Sequence, residues 1–173
     1  VKLEGIEGQL TDHYDPRGKV LRLSRGVATQ PSIASVAIVA HEIGHAQQDA
    51  QGYLPLRMRA GLVPLVNLTS WLGPILFMVG LMLQWADLMT WGVWMFGGAV
   101  IFALVTLPVE LDASRRALGL LTESGVLNEG SEIRGARKVL SAAALTYVAA
   151  LAQSVSTLLY YLMMVSGLRR RRE

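Results

Sequence analysis

The chain has 173 residues, 52% of them hydrophobic, a mean hydropathy of +0.39, a formal net charge of +3 and no cysteine. That length suits one domain, and so much apolar residue in a short chain exceeds what a water-facing core needs, which points to a bilayer. Without cysteine neither a disulfide framework nor a thiolate metal site can form, so any metal must be held by histidine and carboxylate.

In chain order, Gln9-Leu10-Thr11-Asp12-His13-Tyr14 reads as extended. Asp15-Pro16-Arg17-Gly18 is a turn, with Pro set for its second position and Gly at its end. Lys19-Val20-Leu21-Arg22-Leu23-Ser24 alternates polar and apolar, as a half-buried strand does. A β-hairpin is therefore expected, then a loop through Gly26. Gln30-Pro31-Ser32 opens a helix that runs without Pro or Gly into His41-Glu42-Ile43-Gly44-His45.

That segment carries the chemistry. Residues four apart share a helix face, so His41 and His45 can present two imidazoles to one metal ion. Glu42 then stands beside the metal, where a carboxylate can take a proton from a water. This is the zinc-peptidase arrangement, and two of the chain's three histidines are used to build it.

Three apolar stretches follow, at 60–84, 91–109 and 139–168, each meeting the roughly 20 residues needed to cross a bilayer. Trp71, Trp85, Trp91 and Trp94 suit the interfacial belt. Pro64, Gly73, Pro74, Gly97 and Gly98 are tolerated in membrane helices where neighbours satisfy the backbone. In the third stretch Thr146, Gln153, Ser154, Ser156 and Thr157 form a polar side, expected to face the bundle or the catalytic cleft. The basic residues flank these stretches instead of forming a stripe with aromatics, which favours a membrane surface over nucleic acid.

A two-histidine site is incomplete, because catalytic zinc has three protein ligands and one open position. Val109-Glu110-Leu111-Asp112-Ala113-Ser114-Arg115-Arg116 leaves the second apolar stretch directly and is the natural supply of a third. On spacing alone, Glu110 as ligand and Glu110 as a solvated helix end both stand. Asp112 is its rival, and residues two apart are about 200° apart on a helix, so both cannot face one metal.

The stretch Leu10-Thr11-Asp12-His13-Tyr14-Asp15-Pro16-Arg17, the block Val39-Ala40-His41-Glu42-Ile43-Gly44-His45-Ala46-Gln47-Gln48, the run Leu107-Pro108-Val109-Glu110-Leu111-Asp112-Ala113-Ser114-Arg115-Arg116-Ala117-Leu118 and the run Arg134-Gly135-Ala136-Arg137-Lys138-Val139-Leu140 closely resemble the YugP-type family of bacterial membrane zinc metallopeptidases. More distantly, the hairpin, the helix and the later Glu look like the HtpX-like and CAAX-prenyl-protease superfamily. The resemblance implies a gluzincin in which Glu110 is the third ligand and Ala113 matches the family's Ala. Ser114 stands where those relatives have Asp, and Asp112 is then the candidate to orient a histidine or bond Arg115. Family members usually begin with a membrane helix ahead of the hairpin, so such a span is expected before Val1.

The resulting expectation is a mainly α, membrane-embedded fold with about three apolar transmembrane helices and a small gluzincin-like unit of β-hairpin plus HExxH helix. It is one domain over 1–173. Residues 1–58 hold the hairpin and catalytic helix, 60–109 a two-span hairpin, 110–138 the third-ligand and connecting segment, and 139–168 the last apolar helix. The expected function is zinc-dependent endopeptidase action with one Zn2+ per chain on His41, His45 and Glu110, and Glu42 as general base. Quality control of membrane proteins is the family-level expectation for its role. His13, Tyr147, Arg115 and Arg116 are candidates for oxyanion or supporting roles. The partners are a peptide or membrane-protein substrate and the lipid bilayer; an oligomer or accessory membrane partner is compatible with this. A scaffold keeping a zinc site would not require Glu42, and a zinc transporter would place acids and histidines in mid-span. The positive-inside rule sets Arg57, Arg59, Arg115, Arg116, Arg134, Arg137 and Lys138 against a connecting loop holding Asp87 and no Lys or Arg, so the active site of this inner-membrane protein is expected to face the cytoplasm. The terminal arginines 169–172 conflict with that unless they are outvoted or the third stretch bends back.

Overall fold

A computed structural model describes residues 1–128 and 130–170. Among them the elements run β1 (Lys2–Ile6), β2 (His13–Asp15), β3 (Val20–Ser24), α1 (Arg25–Thr29), α2 (Ile33–Ala50), α3 (Leu54–Met82), α4 (Ala86–Ser124) and α5 (Ser131–Arg170). The protein is mainly helical with a small sheet, as expected.

The sheet has the order β1-β3-β2. The hairpin is present: β2 pairs antiparallel with β3 through His13↔Arg22, Tyr14↔Leu21 and Asp15↔Val20. Its turn is held by Asp15 Oδ1, which accepts the N–H groups of Arg17 and Gly18 at 2.9 and 3.3 Å. The extended stretch is shorter than residues 9–14 suggested, because Leu10 adopts φ +57°. Asp12 instead accepts the Ser24 N–H at 2.7 Å and its hydroxyl at 3.1 Å. β1 was not anticipated. It pairs parallel with β3, and its nearly all-exposed pattern explains why no apolar alternation marked it. The loop through Gly26 is a short helix, α1. The α2 helix starts where expected, with the Ser32 side chain accepting the Ser35 N–H at 3.0 Å.

The chain divides into two compact units, Val1–Arg57 with Pro108–Thr146, and Met58–Leu107 with Tyr147–Glu173. In the first, Ala37 and Ala40 of α2 pack against Ala117 and Leu121 of α4 and against Ala136 and Leu140 of α5. Small side chains at these positions let the helices approach closely. In the second, Phe77, Met89, Val93 and Val165 form the core, and Tyr161 stacks on Phe77 with ring centroids 4.3 Å apart.

α3, α4 and α5 are each long and apolar enough to cross a membrane. Trp71, Trp91 and Trp94 are exposed on them, along with many aliphatic side chains, a surface suited to lipid. The helices extend well past the apolar stretches, because no cap or break coincides with the polarity change. α4 therefore carries the 91–109 stretch and Glu110 on one helix, ending at Ser124 before Gly125, whose φ is +63°. α5 is equally unbroken from Ser131 to Arg170. Arg169 Nη2 lies 3.2 Å from Asp87 Oδ1 and 3.3 Å from Thr90 Oγ1, so the C-terminal end of α5 sits beside the α3–α4 turn. Arg171 and Arg172 fall outside the described residues. On the polar side of α5, expected to face the bundle or the catalytic cleft, Thr146, Gln153 and Ser156 are exposed and Ser154 and Thr157 are half-buried. Their polar groups are served within the helix. Ser154 and Ser156 donate to the carbonyls of Ala150 and Ala152, and Gln153 donates to Thr157.

The α3–α4 contact has no room for side chains at its closest point. A Cβ on Gly92 would lie 2.6 Å from the Phe77 nitrogen and 2.7 Å from the Gly73 oxygen. Overpacking of this kind costs about 1–3 kcal/mol. Gly92→Ala should therefore lower the unfolding midpoint in detergent, whereas Gly97→Ala, with nothing within 4 Å, should not. Equal midpoints for the two variants would contradict the close contact.

Candidate metal centre

His41 and His45 lie one turn apart on α2, their rings nearly perpendicular at 84° with centroids 4.8 Å apart. What brings α4 to them is the residue between. A Cβ on Gly44 would lie 2.6 Å from the Ala113 carbonyl oxygen, and Ala113 is itself fully buried. The two backbones are in direct contact there. One turn back from Ala113, Glu110 is only 2% exposed. Its Oε2 stands 3.1 Å from His41 Nε2 and 3.6 Å from His45 Nε2.

The three donor atoms all lie within 4.8 Å of one another. Ligands about 2.0–2.1 Å from a tetrahedral zinc are about 3.3 Å apart, close to the 3.1 and 3.6 Å that separate Glu110 Oε2 from the two Nε2 atoms. The donor chemistry fits as well, with two imidazole nitrogens and one carboxylate.

Both imidazoles are held from behind. His41 Nδ1 is 3.2 Å from Ser114 Oγ, and His45 Nδ1 is 3.0 Å from Gln48 Oε1. With Nδ1–H donated, each ring keeps its Nε2 lone pair on the Glu110 side. Ser114 thus serves His41. Gln48 is fully buried, and its Nε2 donates to the Val109 carbonyl at 2.8 Å and to Asp112 Oδ2 at 2.9 Å. Asp112 in turn accepts from Arg116 Nε at 2.6 Å. Arg116 also donates to Gln51 Oε1 at 2.6 Å and lies over the Tyr53 ring. Asp112 reaches a histidine at one remove, and its basic partner is Arg116; the expected bond to Arg115 does not form, and Arg115 is exposed.

Glu42 is buried beside the histidines. Burial pushes its carboxyl above the usual range, against the pull of His45 and His41. The Tyr14 backbone N–H donates to Glu42 Oε2 at 2.8 Å, and the Tyr14 hydroxyl donates to Asp49 Oδ2 at 2.8 Å. These two bonds fix β2 along α2. Burial, and then Asp49, raise the Tyr14 hydroxyl to about 12, so it stays a donor at neutral pH. Burial disfavours the His45 imidazolium, yet the Glu110 carboxylate outweighs it and raises His45 overall. Positive charge is favoured at this point.

Among the other candidates, His13 lies on β2, with Nδ1 2.8 Å from the Thr11 carbonyl oxygen and Nε2 3.4 Å from Arg22 Nη1. Its ring is engaged within the hairpin. Tyr147 lies on α5 in the second unit.

The sequence pattern of a family described as "Putative neutral zinc metallopeptidase" matches residues 1–166. The chain belongs to this family. It is also 44% identical over 163 residues to the "Putative membrane protease YugP" of Bacillus subtilis (strain 168), a match covering 94% of this chain and 72% of that protein. No solved structure matches the chain. In the sequence Gln48 was read only as part of the family block, with no role given to it. The signal was present: it lies three residues after His45 and seven after His41, on the same helix face. The Tyr14–Glu42 bond had none, since it joins a backbone amide to a side chain 28 residues away.

Gly44→Ala should push α2 from α4 and part the histidines from Glu110. Metal affinity should fall by about tenfold or more, with a loss of stability of about 1–3 kcal/mol. Chelator competition and thermal unfolding measure the two effects, and unchanged affinity would separate the helix contact from the centre.

Proposed function

We propose that the chain is an integral-membrane zinc endopeptidase of gluzincin type, with one Zn2+ on His41, His45 and Glu110 and with Glu42 as general base. The observation that carries this is the meeting of Glu110 with both Nε2 atoms across 69 and 65 residues of sequence. When bound, zinc acidifies a water and polarises the scissile carbonyl.

Glu42 supplies the proton chemistry. Its Oε2 accepts the Tyr14 N–H, which fixes the carboxylate, so Oε1 is the atom that takes the proton from the attacking water. Glu42 then delivers that proton to the leaving amine. β2 is an edge strand, and the Tyr14 N–H on its outer side is taken by Glu42, which places the strand beside the proposed base. Peptides and membrane proteins are the proposed substrates, with quality control of membrane proteins as the role.

A scaffold that only keeps zinc is the second reading. Against it stands Glu42, a buried carboxylate beside the ligands whose retention such a scaffold does not need. Glu42→Gln should keep zinc stoichiometry near wild type and remove nearly all hydrolysis of a peptide substrate. Full residual activity would exclude Glu42 as the base. Glu110→Ala should lose zinc and activity together, whereas Asp112→Ala should retain the metal and lower activity more mildly. The reverse pattern would shift the ligand to Asp112.

The active site is proposed to face the cytoplasm. Seven basic residues favour this, against the four arginines of positions 169–172 in the sequence, and Arg169 is paired with Asp87, which lessens its weight. Because the chain has no cysteine, Asp87→Cys gives one labelling site. A membrane-impermeant thiol reagent should modify it from outside intact cells, and protection there would reverse the orientation.

A further inference from the structure

A buried amide needs partners wherever it lies. The partners of Gln48 are specific: its oxygen accepts from His45 Nδ1–H at 3.0 Å, and its nitrogen donates to the Val109 carbonyl at 2.8 Å. Val109 is the residue before Glu110. One side chain of α2 is therefore bonded to the ring of one proposed ligand and to the main chain beside another on α4. The second N–H of the amide goes to Asp112 at 2.9 Å, and Asp112 is held by Arg116 at 2.6 Å. An amide can do this because it carries an acceptor and two donors on one planar group. A carboxylate or a hydroxyl at position 48 would lack one side of the set.

Resting on the zinc reading above, we infer that Gln48 is the positioning residue of this centre. It selects the His45 tautomer that leaves Nε2 open to metal, and it sets the His45–Glu110 spacing by tying that ring to the Glu110 backbone. Asp112 and Arg116 act through it. Asp112 fixes which way the amide points, since only the NH2 end can face a carboxylate.

The test uses the full chain in detergent, with zinc affinity read by chelator competition and ligand geometry by the visible spectrum of the cobalt-loaded protein. Gln48→Met keeps the side-chain volume and removes the donors and the acceptor. It should weaken zinc binding 10–100-fold and alter the cobalt bands. Asp112→Ala should weaken binding by a smaller factor in the wild-type chain and by no further factor in the Gln48→Met background. Asp112→Asn, which still offers an oxygen to the amide, should bind within about twofold of wild type. Asp112 is only half-buried, so these two variants carry the test even where Gln48→Met does not fold. Zinc affinity within twofold of wild type in Gln48→Met would overturn the inference, as would Asp112→Ala and Gln48→Met effects that multiply, or Asp112→Asn behaving as Asp112→Ala. Loss of zinc in Glu110→Ala with none in Gln48→Met overturns this inference alone. Zinc retained in Glu110→Ala overturns the ligand set beneath it.

Discussion

The centre depends on a single contact between main chains, that of Gly44 with Ala113. Two helices separated by ordinary side chains keep their axes 8–10 Å apart. A glycine facing an alanine allows a closer approach, and Glu110 can then reach two imidazoles with a short side chain. Ala37, Ala40 and Ala117 continue the same small-residue seam along α2 and α4. The composition of that seam is thus a geometric requirement of the ligand set.

Around this contact the polar groups pair with one another in a row. His41 is served by Ser114, His45 by Gln48, Gln48 by Val109 and Asp112, and Asp112 by Arg116. In a low-dielectric setting each unmatched member would cost more than its bond returns, so the row is stable only as a whole. Its outer end is Arg116, which reaches the exposed surface and has the aromatic face of Tyr53 beneath it.

Much of this was legible in the chain. His41, Glu42 and His45 stand at a fixed helical spacing, and the three long apolar helices announce themselves by length. Glu110 was visible as an acid at the end of an apolar stretch, but spacing could not separate it from Asp112; only the family motif did so. What stayed hidden has a common cause. β1 pairs through main-chain groups and shows no apolar alternation, and the polar side of α5 satisfies hydroxyls on its own backbone. Interactions made by backbone atoms leave no residue type behind them.

The link between Tyr14 and Glu42 belongs to that same class, and its donor is the peptide N–H, not the phenol. Every amino acid except proline brings that hydrogen with it. The carboxylate proposed as the base accordingly keeps this donor through any substitution but proline at the strand that steadies it. A change of side chain at position 14 gives up the Asp49 bond and keeps the hydrogen that Glu42 accepts.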